Sequence, residues 1–387
     1  MMTTMTTTRE KITQAIAQLD STFVQRTEAI KCVWLALLTG QNFILVGDPG
    51  TAKTALVNAC YSHIADARVF NVLCGSFATE DKIFGPVDIA SLKNSAWKRN
   101  TAGRLADCDL GFLDEMLKAN DGTLNGMLTA LNERVYDGQK ITLRTAGAAT
   151  NWPEVMSRSD NVAALWDRVL FRARVDEVSS EEGRMQLLAA VDKVAHYKAS
   201  VKLTLAELDE AREQVKLVVI GDDVRRSIVK TQESLEKQKI KNSSRRYGAL
   251  QLGLRAMAWL DGRDKVMLDD FDALAFGLWT NRDQIEAVRT IIDSVDAHVV
   301  NECLTQLKAV TKQCRDNASV QAAPGLIKLS AKAATEAKNM LDKYGARQKG
   351  RQQIKDAIGQ LKEVYKQLRA KVQPHLEQAK EAADADL

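Results

Sequence analysis

A four-residue apolar run, Phe43-Ile-Leu-Val46, leads directly into Gly47-Asp-Pro-Gly-Thr-Ala-Lys-Thr54, after which helix-forming residues resume. β-branched and apolar residues ahead of a glycine–proline turn read as a short buried strand. The following stretch reads as a helix from Lys53. A strand–loop–helix of this kind aims backbone N–H groups and the positive end of a helix at one point, where an anion is favoured. The glycines permit a tight wrap, Lys53 offers a charge to β- and γ-phosphates, and Thr54 offers a hydroxyl to magnesium. Gly47, Asp48, Pro49, Gly50, Thr51, Ala52, Lys53, Thr54 and Ala55 are therefore the expected binding set for ATP with Mg2+. The strict pattern GxxxxGK[ST] wants glycine where Ala52 stands. Alanine is small and tolerates helical φ/ψ, so binding is expected to survive.

A second apolar strand, Leu110-Gly-Phe-Leu, delivers Asp114 and Glu115 at its end. Open α/β sheets place ligands at the carboxyl ends of their strands. Asp114 is expected to hold the magnesium with Thr54, and Glu115 to orient and polarise an attacking water. An Asp-Glu pair can also cap a helix. Its position after the phosphate loop, with one strand between, argues for the chemical role.

The chain reads in four parts. Residues 1–8 read as a disordered polar tail. Residues 9–178 read as a parallel α/β sheet flanked by helices, with strands at 43–46, 68–73, 110–113, 146–150 and 170–175. The strand at 68–73 is expected to be buried. Residues 135–144 read as a hairpin turning at Asp137-Gly138. Residues 179–283 read as an all-α lid, including a helix over 269–278. Residues 284–387 read as a helical C-terminal extension, with one helix over 285–318, a break at Pro324-Gly325 and a second helical stretch over 326–373. There Ile354, Ile358, Leu361, Tyr365, Leu368 and Val372 alternate four and three apart, which predicts a helical hairpin or short coiled coil.

Bulk properties narrow the class. A net charge of +4 over 387 residues argues for neither nucleic acid nor a membrane surface. The most apolar stretch, Ala29–Val46, is interrupted by Lys31, Gln41 and Asn42, so no membrane span is expected. The polar N-terminus lacks a secretory apolar core. Six scattered cysteines without a CxxC pair read as reduced thiols in a cytoplasmic protein, and four scattered histidines predict no transition-metal site.

Several blocks together resemble the MoxR branch of AAA+ ATPases, and within it the RavA-like group. GDPGTAKT is similar to that group's phosphate loop, where alanine also precedes the lysine. FATEDKIFGPVDI (77–89), FLDEMLKAN, MLTALNERVYDG (127–138), ATNWPE (149–154), LWDRVLFR (165–172) and NSSRRYGALQLGLRAMAWLDGRDKV (242–266) follow in the family's order. The resemblance implies that Asn151 is sensor one, Arg168 the arginine finger with Arg172 as its rival, and Arg245 sensor two with Arg246 as its rival. Asn151 could otherwise be a turn residue, and Arg168 could be a structural partner of Asp167. Residues 88–102, with Trp97, Lys98 and Arg99, resemble the helix-two insert, and residues 135–144 the pre-sensor-one hairpin. The family implies a homo-oligomeric ring, a hexamer, that hydrolyses ATP at subunit interfaces and remodels or matures a protein target, often with a von Willebrand factor A domain partner. A nucleic-acid motor or loader and a nucleotide-switched scaffold are the alternatives on the same fold. The basic residues between Lys328 and Lys371 read as a solvated helix face rather than a nucleic-acid stripe.

Overall fold

The computed structural model describes residues 7–76, 78–152, 160–295, 297–316, 323–344 and 348–385. Most of the 1–8 tail therefore lies outside the described residues. Its last residue, Thr8, already opens helix α1 (Thr8–Thr22), and Thr7 forms a capping box with Glu10. The chain divides into two compact units. One holds residues 1–220, 241–266 and 273–284, the other residues 221–240, 267–272 and 285–387.

The first unit is built on a five-stranded parallel sheet: β1 (Phe43–Val46), β2 (Val69–Leu73), β3 (Leu110–Asp114), β6 (Thr145–Thr150) and β7 (Phe171–Arg174), in the order β2-β3-β6-β1-β7. A two-stranded hairpin, β4 (Val135–Tyr136) with β5 (Gln139–Lys140), turns at Asp137-Gly138, both at positive φ. β1 is buried at all four positions because β6 and β7 flank it. α2 (Thr27–Thr39) is apolar all round and almost wholly buried beside β1 and β7. α3 (Lys53–Tyr61) packs beside β3 and β6. β2 is not the buried strand its composition suggests. It lies at the sheet edge, and its alternate residues Val69 and Leu73 are 43% and 54% exposed.

The sheet connections carry the short helices α4 (Glu80–Phe84) and α5 (Ile89–Lys93), then α6 (Asp121–Glu133) and α7 (Asp160–Arg168). After β7 no further strand occurs among the described residues. The helices that follow are α8 (Glu181–Ala195), α9 (Leu205–Leu217), α10 (Asp222–Lys237) and α11 (Ser244–Leu260). The helix expected over 269–278 is shorter: a 3-10 turn, Leu268–Phe271, followed by α12 (Asp272–Ala275). Asp270, only 1% exposed, turns back to accept from the Met267 N–H at 2.8 Å and fixes that turn.

The C-terminal segment differs from the expected pair of helices. α13 (Gln284–Asp293) ends where Ser294 Oγ donates to the Ile291 carbonyl at 2.7 Å, and α14 (Ala297–Asp316) starts afresh. Pro324 does not break a helix; it sits in the first turn of α15 (Ala323–Tyr344), where a missing N–H costs nothing. A third long helix, α16 (Gln348–Ala385), completes a mutually packed set of three with α14 and α15. The heptad spacing holds, but the buried seam is Ile354, Ala357, Leu361, Val364 and Leu368. It closes on Cys303, Leu307 and Ala337, with Ile358 only partly buried. The side chain of Val372 lies outside the described residues.

Candidate nucleotide site

At the carboxyl ends of β1, β3 and β6 lies a cavity of about 420 Å³, lined by Pro49 through Ala55 together with Leu73, Asp114, Glu115, Thr150 and Asn151. The strand order explains the convergence. β6 stands between β1 and β3, so the end of β6 places Thr150 and Asn151 between the Gly47–Thr54 loop and the two carboxylates.

Gly47 is required by close approach: a Cβ there would come within 1.9 Å of the Val175 carbonyl oxygen. Gly50 has φ +81°, in the left-handed region that glycine enters freely. Ala52 also has positive φ (+63°, ψ 26°), which corrects the expectation of a helical alanine. A residue with a Cβ pays roughly 1–2 kcal/mol for this conformation, which is the physical sense of a glycine in the strict pattern.

Lys53 is buried, and its Nζ donates to the Gly47 carbonyl (2.9 Å), the Asp48 carbonyl (2.7 Å) and Thr51 Oγ1 (3.2 Å). Burial holds its pKa below the usual lysine value, opposed by the nearby charges of Asp114 and Asp48. Thr54 Oγ1 donates to Asp114 Oδ2 at 2.7 Å, and the Glu115 N–H donates to Asp114 Oδ1 at 3.0 Å. A hydroxyl and one carboxylate, adjacent in an open cavity, match the sparse oxygen set that magnesium takes when phosphates and waters complete its octahedron. No cluster of three or more His, Cys, Asp or Glu side chains suited to a metal occurs among the described residues. The Thr54 hydroxyl and the Asp114 carboxylate fit magnesium carried with a triphosphate.

Three contributors were not legible in the sequence. Leu73, at the exposed edge of β2, lines the cavity. Arg26, buried at the start of α2, directs Nε towards the Thr51 carbonyl at 3.4 Å and so backs the loop. Desolvation lowers its pKa against the pull of Asp176. Trp152 follows Asn151 and packs on Trp279 (centroids 6.2 Å apart), with the Arg282 guanidinium 5.3 Å from its ring centre. That anchors the chain beyond β6. Pro153 and Glu154 of the same block lie outside the described residues, as does Phe77.

The arginine pairs separate sharply. Arg172 is 2% exposed; its Nη1 donates to the Trp279 carbonyl, its Nη2 to the Trp166 carbonyl at 2.7 Å, and its guanidinium lies 4.6 Å from the Trp166 ring centre. Desolvation, then the nearby Arg246, drive its pKa well below the usual value. Arg246 is 5% exposed and donates to the carbonyls of Asp167 (2.7 Å) and Gly277 (3.0 Å). Both rivals are thus consumed inside their own chain. Arg168, in the last turn of α7, donates to the Ala164 carbonyl at 2.9 Å, and its buried Nε, like that of Arg172, has no hydrogen-bond partner among the described residues. Arg245 donates to Asn132 Oδ1 at 2.8 Å on the surface. Neither Arg168 nor Arg245 lines the cavity, and Lys53 is its only cation among the described residues.

The chain is similar to several known proteins. A family model described as the MoxR domain in the MoxR-vWA-beta-propeller ternary systems matches residues 10–213, and an AAA lid domain model matches residues 223–292. Two Methanocaldococcus jannaschii proteins, named only as uncharacterized proteins MJ0812 and MJ0079, are similar over most of both chains. The first is 31% identical over 295 residues, 75% of this chain and 77% of its own. The second is 30% identical over 306 residues, 78% of each. The structural protein ORF618 of Acidianus two-tailed virus is 30% identical over 227 residues, 54% of this chain but 36% of that longer one. A crystal structure from Cytophaga hutchinsonii, described as a "putative ATPase", has the same fold, with a TM-score of 0.58 at 17% identity, covering 74% of this chain and 94% of its own. The first model spans more than half of the chain and ends beyond β7, so it takes in the whole cavity: the chain belongs to the MoxR family of AAA ATPases.

Proposed function

We propose that this protein hydrolyses Mg-ATP at the β1–β3–β6 cavity, works as a homo-oligomeric ring, a hexamer, and uses turnover to remodel or mature a protein target. The observation that carries the reading is the Thr54–Asp114 hydrogen bond of 2.7 Å beside Lys53, Glu115 and Asn151 in one cavity. In this reading Lys53 and the loop amides bind the β- and γ-phosphates. Thr54 and Asp114 would hold magnesium, which supplies charge neutralisation for the phosphoryl oxygens. Glu115 takes the proton of the attacking water, and Asn151 orients that water or the γ-phosphate. Arg168 reaches the site of a neighbouring subunit, and Arg245 acts as sensor two. The burial of Arg172 and Arg246 supports these choices, because both rivals already donate to carbonyls of their own chain.

The partners proposed are proteins with von Willebrand factor A and β-propeller domains, as the description of the matching family model suggests. A RavA-like kinship rests on the same motifs, whereas that model points to the vWA–propeller branch, and the proposal takes the latter. A cytoplasmic location is supported by six free, buried cysteines. No described helix is long and apolar enough to cross a membrane.

The decisive experiment is capture of partners by Glu115→Gln protein held in ATP. Recovery of a vWA or β-propeller protein, dependent on nucleotide, is the expected result. Strong stimulation of ATP turnover by DNA or RNA, lost steeply with salt, would instead move the reading to a nucleic-acid motor. Arg168→Ala should lower turnover by ~10³-fold with nucleotide affinity retained, the size of effect an arginine finger supplies. A wild-type rate in that variant removes Arg168 from the site.

A further inference from the structure

The two arginines buried away from the cavity meet at one place, the end of α7 and the turn into β7. The last helical bond of α7 runs from the Val169 N–H to the Leu165 carbonyl, 3.2 Å. Carbonyls from Trp166 onward lie past the reach of the helical ladder and need other donors. Arg172 Nη2 donates to the Trp166 carbonyl and Arg246 Nη2 to the Asp167 carbonyl, each at 2.7 Å. Arg246 Nη1 also donates to the carbonyls of Val169 and Leu170, each at 3.4 Å. The backbone on both sides of Arg168 is thus held by two guanidinium groups. This is an expensive way to end a helix, since one left-handed glycine would serve. Arg172 and Arg246 are 2% and 5% exposed, and their like charges oppose each other. The carboxylate beside Arg246, Asp167 Oδ1 at 3.1 Å, belongs to a side chain 63% exposed. What the arrangement gains is rigidity, because a planar fork grips several carbonyls at once.

We propose that Arg172 and Arg246 are positioning residues: they pin the end of α7 and so hold Arg168 where it reaches the site of a neighbouring subunit. The inference rests on the reading of Arg168 as the finger. A finger acts only when its guanidinium arrives at the phosphoryl oxygens, and a displacement of about 1 Å costs about 10²-fold in rate. Arg168 is carried by the last turn of its helix, the part that frays first. Two cations at this end also suit the helix dipole, whose negative pole lies there. Neither arginine lines the cavity of its own chain. Their loss therefore falls on the reaction next door and spares the nucleotide bound by the same subunit.

The test mixes full-length variants. Arg172→Lys keeps the charge and loses the fork. Alone it should lower ATP turnover about 10–100-fold, with nucleotide affinity unchanged. Glu115→Gln alone is inactive, yet its Arg168 is intact. In an equal mixture, Glu115→Gln subunits offer their finger to sites on Arg172→Lys subunits. Turnover should then recover to about a quarter of the wild-type rate, since one head-to-tail interface in four pairs an intact site with an intact finger. Arg168→Ala mixed with Glu115→Gln is the reference and should recover equally. Arg246→Lys repeats the measurement at the second arginine, should Arg172→Lys fail to fold. Recovery in the reference without recovery in the lysine variants overturns the positioning role and leaves the finger standing. So does a wild-type rate in both lysine variants, or a loss of nucleotide affinity that accounts for their slower turnover. A wild-type rate in Arg168→Ala overturns the finger reading, and the inference with it.

Discussion

The strand ends of the sheet and the three long C-terminal helices handle polarity in opposite ways. At the ends of β1, β3 and β6 the chain buries Lys53, admits Asp114 and Glu115, and holds Ala52 and Glu115 at positive φ. In α14–α16 the described buried positions are Cys303, Leu307, Ala337, Ile354, Leu361 and their neighbours, charged side chains face outward, and no described residue has positive φ. The difference separates strain and buried charge, which mark chemistry, from apolar close packing, which marks scaffold. The first region should be sensitive in function and the second in stability.

Four substitutions break or sharpen that contrast. Glu115→Gln should lower ATP turnover by ~10²–10⁴-fold, the contribution of a positioned base, with nucleotide affinity and melting temperature held. Steady-state rates beside nucleotide titrations check it; retained turnover would put the base elsewhere. Leu307→Ala, at a residue with no exposed surface, should cost ~2–5 kcal/mol in denaturant unfolding while leaving nucleotide affinity unchanged. A loss of affinity there would tie the helices to the site. Lys53→Ala should weaken ATP binding about 10–100-fold, from the loss of charged hydrogen bonds worth ~1.5–3 kcal/mol. Calorimetry in the presence of magnesium reads this directly. The smallest effect is Ala52→Gly. Relief of the left-handed Cβ, less the extra freedom of glycine in the unfolded chain, should stabilise the protein by about 0.5–1 kcal/mol. A destabilised Ala52→Gly would mean that the positive φ is not strained.

Much of the site could be read from local pattern because its key contacts are local. Lys53 bonds to residues two, five and six positions away, and the wrap that allows this is written in Gly47, Pro49 and Gly50. Asp114 and Glu115 were legible because an apolar strand that ends in two acids presents them at the edge of a parallel sheet where ligands bind. What composition misjudged was context. β2 looks like an interior strand, but strand order leaves it at the edge. The helix seam in α16 keeps its spacing while Ala357 and Val364 replace Ile358 and Tyr365 at the buried positions, because the partners are two helices rather than one.

The arginines show where such reading stops. Nothing within reach along the chain distinguishes Arg168 from Arg172, or Arg245 from Arg246. Arg172 is consumed by the carbonyl of Trp279, more than a hundred residues away, and Arg246 by those of Asp167 and Gly277. The residues alone determined a glycine-rich strand–loop–helix, a pair of acids at the end of a second strand and the run of strands and helices around them, since these follow from backbone geometry over a few neighbours. Tertiary structure alone decided which strand separates loop from acids and which guanidinium groups are buried against carbonyls of their own chain. Desolvation and side-chain pairing depend on what the folded chain brings near, and no local pattern encodes that.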